Sequence, residues 1–566
     1  MILRKLLAAV SIFTIAGGLF LPAGAADIPD EQLTTPRPPV ENTGGYSGAY
    51  YDDQRTLNRA FSYVEAWKGS YFEDGSYTTC KSAEDEPCKS SNSVAFETPL
   101  SPCSEIRTRD CVSAFSVRSS GSNEIQATLV ELTETALNGF GTIQKSRYAN
   151  TFKGDQKRGI PDSGKVSVWK FPGIKHAGGD EFLLIPKLNV FMQSVDGAKP
   201  SNLDVGVFAV SRLPAAGKSE ADCYFLTTST CFIRWALPSD ATFSISIKTG
   251  SKLIGWFYGR INSPEIYSEK LADGQTQVTI SGSPMTVPTV AAWGKNTELP
   301  PALEAMLEKE FIDRNYQPAG RAFFGFNAKD RSKMAVIDEI NQAFNDYLFE
   351  RYLLWVKVAS DKAYANVSTW SFRTMEDYRA DQGFAQYGKC IGDSGVAGMV
   401  TTNSNAYIAG PPKFTDGDLA YKVASPHYDA KGGLQIGTYD LAIRSDIARC
   451  LYGFTSAPIQ ASLSVVYADG VATKATTLVS EKNNWLRLSA KGFTYSSPTV
   501  KVRLSQEKAV VAPAPTPTSA ASASPTPTPI ATPVAAKKTS ITCIKGKTSK
   551  KITAVNPKCP TGYKKK

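Results

Sequence analysis

Thr499-Val500-Lys501-Val502-Arg503-Leu504 sets Val500, Val502 and Leu504 on one face of an extended chain and Lys501 and Arg503 on the other. A repeat of two is the signature of a half-buried β-strand, because successive side chains leave opposite faces of a pleated backbone. Working outward, similar segments recur as TYDLAIR (438–444), ASLSVVY (461–467) and STWSF (368–372). Further upstream come TQVTI (276–280), FSISIK (243–248), DVGVFAV (204–210) and VSVWKF (166–171). Gly, Pro, Asn and Asp punctuate them, as turns require. FSYVEAWKGSYF, near residue 67, fits a strand and a short helix equally. Many short strands with frequent turn signals predict a mainly β fold of antiparallel β-sandwich-like domains.

The period changes after Glu298. Pro300 and Pro301 precede ALEAMLEKEF, with Leu303, Leu307 and Phe311 on one face. Proline is tolerated in a first helical turn because its missing N–H would have no helical partner. A second helix is predicted over about 332–350, where Ile337, Ile340, Phe344, Tyr347 and Leu348 recur at helical intervals. The expected layout is a signal peptide at 1–25, an exposed leader at 26–45 and a β-rich region at 46–297, one domain or two. A helical insert at 298–350 and a second β-sandwich at 351–508 follow.

Both ends depart from this pattern. Arg4 and Lys5 precede the apolar run LLAAVSIFTIAGGLFL and an Ala23-Gly24-Ala25 cleavage site, which predicts export rather than a membrane anchor. Apart from Ile530, residues 509–536 reduce to Pro, Ala, Thr, Ser and Val with scarcely a large side chain, the composition of an extended spacer. The tail, 537–566, carries Lys537, Lys538, Lys545, Lys547, Lys550, Lys551, Lys558, Lys564, Lys565 and Lys566, with no acid.

The whole chain has 63 basic and 53 acidic residues; with Arg4, Lys5 and the tail lysines set aside, 51 basic residues face 53 acidic ones. A nucleic-acid binder spreads basic groups over its folded face, so that class is excluded. The tail lysines suit teichoic acid, an anionic polysaccharide or a phospholipid headgroup layer. The plainer alternative is that they only solvate the terminus.

The 10 cysteines all lie beyond the signal. Three pairs share one spacing: Cys80 with Cys88, Cys103 with Cys111, and Cys223 with Cys231. Cys390 is left for Cys450, tying an early loop to a central strand, and Cys543 with Cys559 closes the tail. Export favours disulfides, and the sequence leaves their connectivity open. Zinc is the weaker use, since close ligand spacing is missing and His176 and His427 are the only 2 histidines. No phosphate loop, calcium loop or wall-sorting motif is recognisable, and neither cofactor nor metal is expected.

Thr542, Cys543, Lys545, Gly546, Lys547, Lys558, Cys559, Pro560, Gly562, Tyr563 and Lys564 to Lys566 resemble the tails of uncharacterised exported envelope proteins of Gram-positive actinobacteria. The resemblance is confined to the tail and implies secretion with retention at the cell wall or surface.

Two short motifs resemble enzyme signatures. CIGDSG (390–395) is similar to the nucleophile loop of trypsin-like proteases, which would make Ser394 the nucleophile, with Gly392 and Ser394 as oxyanion donors and Asp393 as a buried carboxylate. Val396 and Ala397 depart from that pattern, and neither histidine has the family's context. GGDEF (178–182) spells the diguanylate cyclase signature, yet here Asp180 and Glu181 read as a polar turn ahead of FLLIP. A carboxylate-based glycosidase needs no histidine. Asp338, Glu339, Glu376, Asp377 and Asp381 are its nominal candidates, the first two expected on the solvent face of the second helix.

Trp67, Tyr71, Trp256, Tyr258, Tyr378 and Tyr387 are candidates for stacking on a sugar, against the plainer reading that each anchors a core. The function expected is a noncatalytic, envelope-associated protein binding a glycan or envelope polymer. The alternatives are an extracellular hydrolase, more readily a glycosidase than a serine protease, and a structural surface-coat component.

Overall fold

The structure, a computed structural model, describes residues within 46–506 and 539–565, apart from short internal stretches of which 135–149 is the longest. The chain divides into two compact units, Met1–Glu507 and Lys508–Lys566.

The first unit is mainly β, as the alternating segments predict. Its frame is a 19-stranded mixed sheet. A continuous path across it starts at an edge with Tyr77–Thr79, Tyr63–Trp67, Val94–Pro99, Glu181–Gln193 and Asn202–Pro214. It continues through Ala365–Thr374, Trp256–Arg260, Gly398–Thr402, Ile436–Arg444, Trp485–Thr494 and Thr476–Lys482. Every step is antiparallel except that from Trp256–Arg260 to Gly398–Thr402. Strands from 46–297 and from 351–508 therefore hydrogen-bond within one sheet, which crosses the boundary expected between two β domains.

Two further sheets complete the layers. The antiparallel strands Asn262–Lys270, Thr276–Ser283, Thr242–Thr249, Cys111–Arg118 and Ile125–Gln126 form a 5-stranded sheet. Phe115, Phe243, Ile245, Ile247 and Ile280 from it share one core with Leu184, Val207, Trp370 and Phe372 of the large sheet. A 6-stranded sheet includes Asp418–Ala424, Thr499–Ser505 and Gln460–Val466, with Thr499–Ser505 paired on both sides. Its Leu419, Tyr421, Val500 and Val502 pack with Trp256, Tyr258, Leu441 and Leu488 of the large sheet.

Trp256–Arg260 shows how the layers meet. Phe257 joins the first core, whereas Trp256 and Tyr258 join the second, so both faces of one strand are buried. The indole of Trp256 lies over Gly398 on the parallel neighbour, where a Cβ would come within 2.4 Å of the ring. At the strand end, buried Arg260 donates to the carbonyls of Thr402, Ser404 and Asn405, and its guanidinium lies 4.5 Å from the Tyr407 ring centre. It thereby fixes the turn that leads into the 6-stranded sheet.

The first expected helix is present as Pro301–Asp313, with Pro301 in its first turn and Leu303 and Leu307 buried. The second is displaced. Ala335–Asp338 is a strand, running parallel to Ser47–Ala49 and antiparallel to Arg321–Phe324. β-Branched Val336 and Ile337 suit this place, and backbone pairing to Tyr46–Tyr51 outweighs the helical periodicity. The helix starts later, as Asp346–Val358, and buries Phe349, Tyr352, Trp355 and Val356. Asp338 accordingly stands on a strand rather than a helix face.

All five cysteine pairs are bonded as expected: Cys80–Cys88, Cys103–Cys111, Cys223–Cys231, Cys390–Cys450 and Cys543–Cys559. One consequence differs. Cys390–Cys450 joins two short helices, Ala385–Ile391 and Ser445–Tyr452, rather than a loop and a strand.

The second unit is a 3-stranded antiparallel sheet with Thr539–Lys545 between Thr548–Ala554 and Lys564–Lys565. Residues 1–45 and the spacer 509–536 lie outside the described residues.

Candidate functional site

Among the six aromatic candidates, three are core residues. Trp256, Tyr258 and Tyr387 are buried, Trp256 against Tyr387 with ring centres 5.4 Å apart and Tyr258 against Tyr407 at 5.9 Å. No ring face is left for a sugar, which corrects that expectation. Alternation on a strand signals only which residues share a face; here the six-stranded sheet covers that face. Tyr71 and Tyr378 lie outside the described residues.

Trp67 is the candidate the structure leaves half-buried, at the end of Tyr63–Trp67. Its ring lies 5.6 Å from that of Tyr77 on the neighbouring strand Tyr77–Thr79, all three residues of which are exposed. Tyr77 is 40% exposed. Trp67↔Tyr77 is a direct cross-strand pair, so the two rings stand on one side of the sheet.

The motifs similar to enzyme signatures fall as follows. In GGDEF, His176 and Gly179 exchange backbone hydrogen bonds of 2.8 and 3.0 Å, closing a tight turn. Asp180 pairs with Lys170 at 3.0 Å, and Glu181 with Arg212 at 2.6 Å, at the start of Glu181–Gln193. These are the polar turn and strand start that the sequence reading expects. Of CIGDSG, Cys390 and Ile391 end a helix; Gly392, Asp393 and Ser394 lie outside the described residues, as do Glu339, Glu376, Asp377 and Asp381.

A cluster of charged side chains on the large sheet carries no motif in the sequence. Lys187 Nζ lies 3.5 Å from Glu97 Oε1 and 3.9 Å from Asp204 Oδ2, all three on strands of the large sheet. The Phe61 N–H also donates to Glu97 Oε1 at 3.0 Å. Burial pushes the Glu97 carboxyl above its ordinary range, against the opposing pull of Lys187 and the Phe61 N–H. Glycosidase carboxylates face each other across room for a sugar oxygen and water. Here an ammonium bridges both carboxylates, the arrangement of a structural ion network. Cross-strand register brings these residues together, and linear spacing gives no hint of it.

In the tail, Lys558, Lys564 and Lys565 are exposed, and Lys545, Lys550 and Lys551 stand on its strands. Lys550 and Lys565 register on either side of Cys543, and Lys551 opposite Thr542. Lys537, Lys538, Lys547 and Lys566 lie outside the described residues. Among the described residues no group of acidic, His and Cys side chains could hold a metal ion, and no helix is long and apolar enough to cross a membrane.

The fold and these features define a mainly β, disulfide-bonded protein with a small cationic second unit. Five disulfides fit an oxidising, extracellular setting. Comparison with protein-family models, curated proteins and solved structures gives no match to this chain.

Proposed function

We propose that this chain is a noncatalytic protein exported to the cell envelope, retained there by its tail, with a β body that binds a glycan or another envelope component. The observation that carries the proposal is the segregation of charge. Ten lysines and no acid occupy 537–566, while the rest of the exported chain is close to neutral. A short sheet closed by Cys543–Cys559 carries several of those lysines into register, which suits a polymer of repeating negative charge. Trp67 and Tyr77 supply the body's sugar-stacking pair, one half-buried and one exposed ring on a strand at the end of the large sheet.

The test compares retention of the full chain and of a form ending at Val534 on isolated envelopes, before and after a wash at about 1 M salt, where charge attraction is screened within ~3 Å. The full chain is expected to be retained at low salt and released at high salt, and the shortened form to bind poorly throughout. Equal, salt-insensitive retention of both overturns the tail's role. Loss of glycan binding in Trp67→Ala, with an unchanged unfolding midpoint, tests the body's role separately.

A further inference from the structure

The 5-stranded sheet has a second face. Phe115, Phe243, Ile245, Ile266 and Ile280 belong to the core it shares with the large sheet, so their neighbours along each strand leave the opposite side. Register fixes that side row by row. Glu265, Ser281, Ser244, Ser116 and Gln126 form one row across all five strands. Tyr267, Thr279, Ser246 and Ala114 form the next, and Glu269, Gln277 and Lys248 the one beyond it.

Side-chain size changes across these rows. In the first two, the three inner strands carry only Ser, Thr and Ala, whereas the edge strand Asn262–Lys270 raises Glu265, Tyr267 and Glu269, all exposed. Tyr267 is 49% exposed. With strands about 4.8 Å apart, the result is a shallow trough with a floor about 10 Å wide and a tyrosine on its wall. Part of the polar lining is engaged within itself. Ser246 and Thr279 share a hydrogen bond of 2.7 Å, Ser116 donates to Glu124, and Tyr267 and Gln277 both donate to Glu269 at 3.2 Å. Glu265, Ser281 and Ser244, consecutive in one row, have no side-chain partner among the described residues.

We propose that this trough holds an uncharged polysaccharide chain. The inference rests on the reading that the body binds a glycan, and it names a face and a class of glycan. A sugar presents an apolar C–H surface and hydroxyls that both donate and accept. Tyr267 offers a ring face to the first, and Glu265, Ser281 and Ser244 offer an acceptor and two hydroxyls to the second. Charge selects the neutral class. Glu124, Glu265 and Glu269 outnumber Arg118 and Lys248 on this face, which disfavours a polyanion or an anionic bilayer. A protein partner fits poorly, since Ser, Ala and Glu are depleted at protein interfaces.

The experiment is a pull-down of the full-length chain on insoluble cellulose, chitin and α-glucan, with immobilised polygalacturonate as the acidic probe. Salt at about 1 M screens the lysine tail throughout. Wild-type protein is expected to bind at least one neutral polysaccharide, and Tyr267→Ala to weaken that binding about fivefold with an unchanged unfolding midpoint. If Tyr267→Ala does not fold, Glu265→Ala takes its place, with weaker binding to the same polysaccharide expected. Binding equal to wild type in the folded variant overturns this face as the site; if Trp67→Ala abolishes the same binding, the body's glycan reading still stands. Wild-type binding to polygalacturonate alone overturns the neutral class and leaves that reading in place. Failure of the wild type on all four probes overturns both.

Discussion

Strand Thr499–Ser505 in the body and strand Thr539–Lys545 in the tail are each 7 residues long, and each is hydrogen-bonded to a neighbour on both sides. They differ in what lies above them. Val500, Val502 and Leu504 are buried against a second sheet. In the tail strand, Cys543 is the buried hydrophobic residue among those described, and Ile544 is 38% exposed. Backbone pairing is common to both, so it is not what separates them. The body keeps its strands by packing layers, whereas a unit this small cannot bury enough surface and relies on a covalent staple. The same scarcity of large side chains leaves its surface to lysine.

That contrast is open to attack from either side. The largest effect is expected from Trp256→Ala, which removes one of the largest fully buried side chains of the body. It should cost about 3–5 kcal/mol, read as a lowered denaturant midpoint, with tail amide protection unchanged. Loss of tail protection alongside the body would show that the two units do not fold independently. Cys543→Ser should do the converse, removing about 3 kcal/mol from the tail and exposing it to protease while the body's midpoint stays in place. A tail that stays protected without its disulfide would break the comparison.

The smallest effect sharpens the account of the body. Burial raises the Asp440 carboxyl above its ordinary range, although Ser489, Lys491 and the Ser263 N–H favour its charged form. A carboxyl with a raised folded pKa contributes stability that is complete below its unfolded pKa and lost as pH rises through the folded value. Asp440→Asn, which cannot ionise, should therefore gain stability relative to wild type as pH rises from the carboxylate range to neutrality. Urea midpoints of both proteins at two pH values measure this, and a constant difference between them contradicts it.

Much of the fold is legible in local pattern. VSVWK, FSISIK and TVKVRL each lie within strands because their alternation matches a pleated backbone, and Pro301 begins a helix as proline in a first turn should. The stretch 335–338 misleads because Ile337 and Ile340 fit a helical period, while the parallel partner at Ser47–Ala49 lies far away in sequence. The candidate sites are less legible. A tyrosine in WFYGR and one in SPHYDAKGG look alike as text, yet Tyr258 is buried and Tyr428 is exposed. Glu97, Lys187 and Asp204 carry no spacing signal, because three separate strands bring them together.

The sequence by itself determined the β class and the placing of positive charge at the tail, since each follows from residue type and local pattern; it suggested the five cysteine pairs, and the structure fixed their connectivity. Only the tertiary structure decided that one sheet runs through both halves of the body, which aromatic rings reach solvent, and where buried charges meet. Those outcomes depend on which distant strands pair and which layer covers each face, and no local period encodes either.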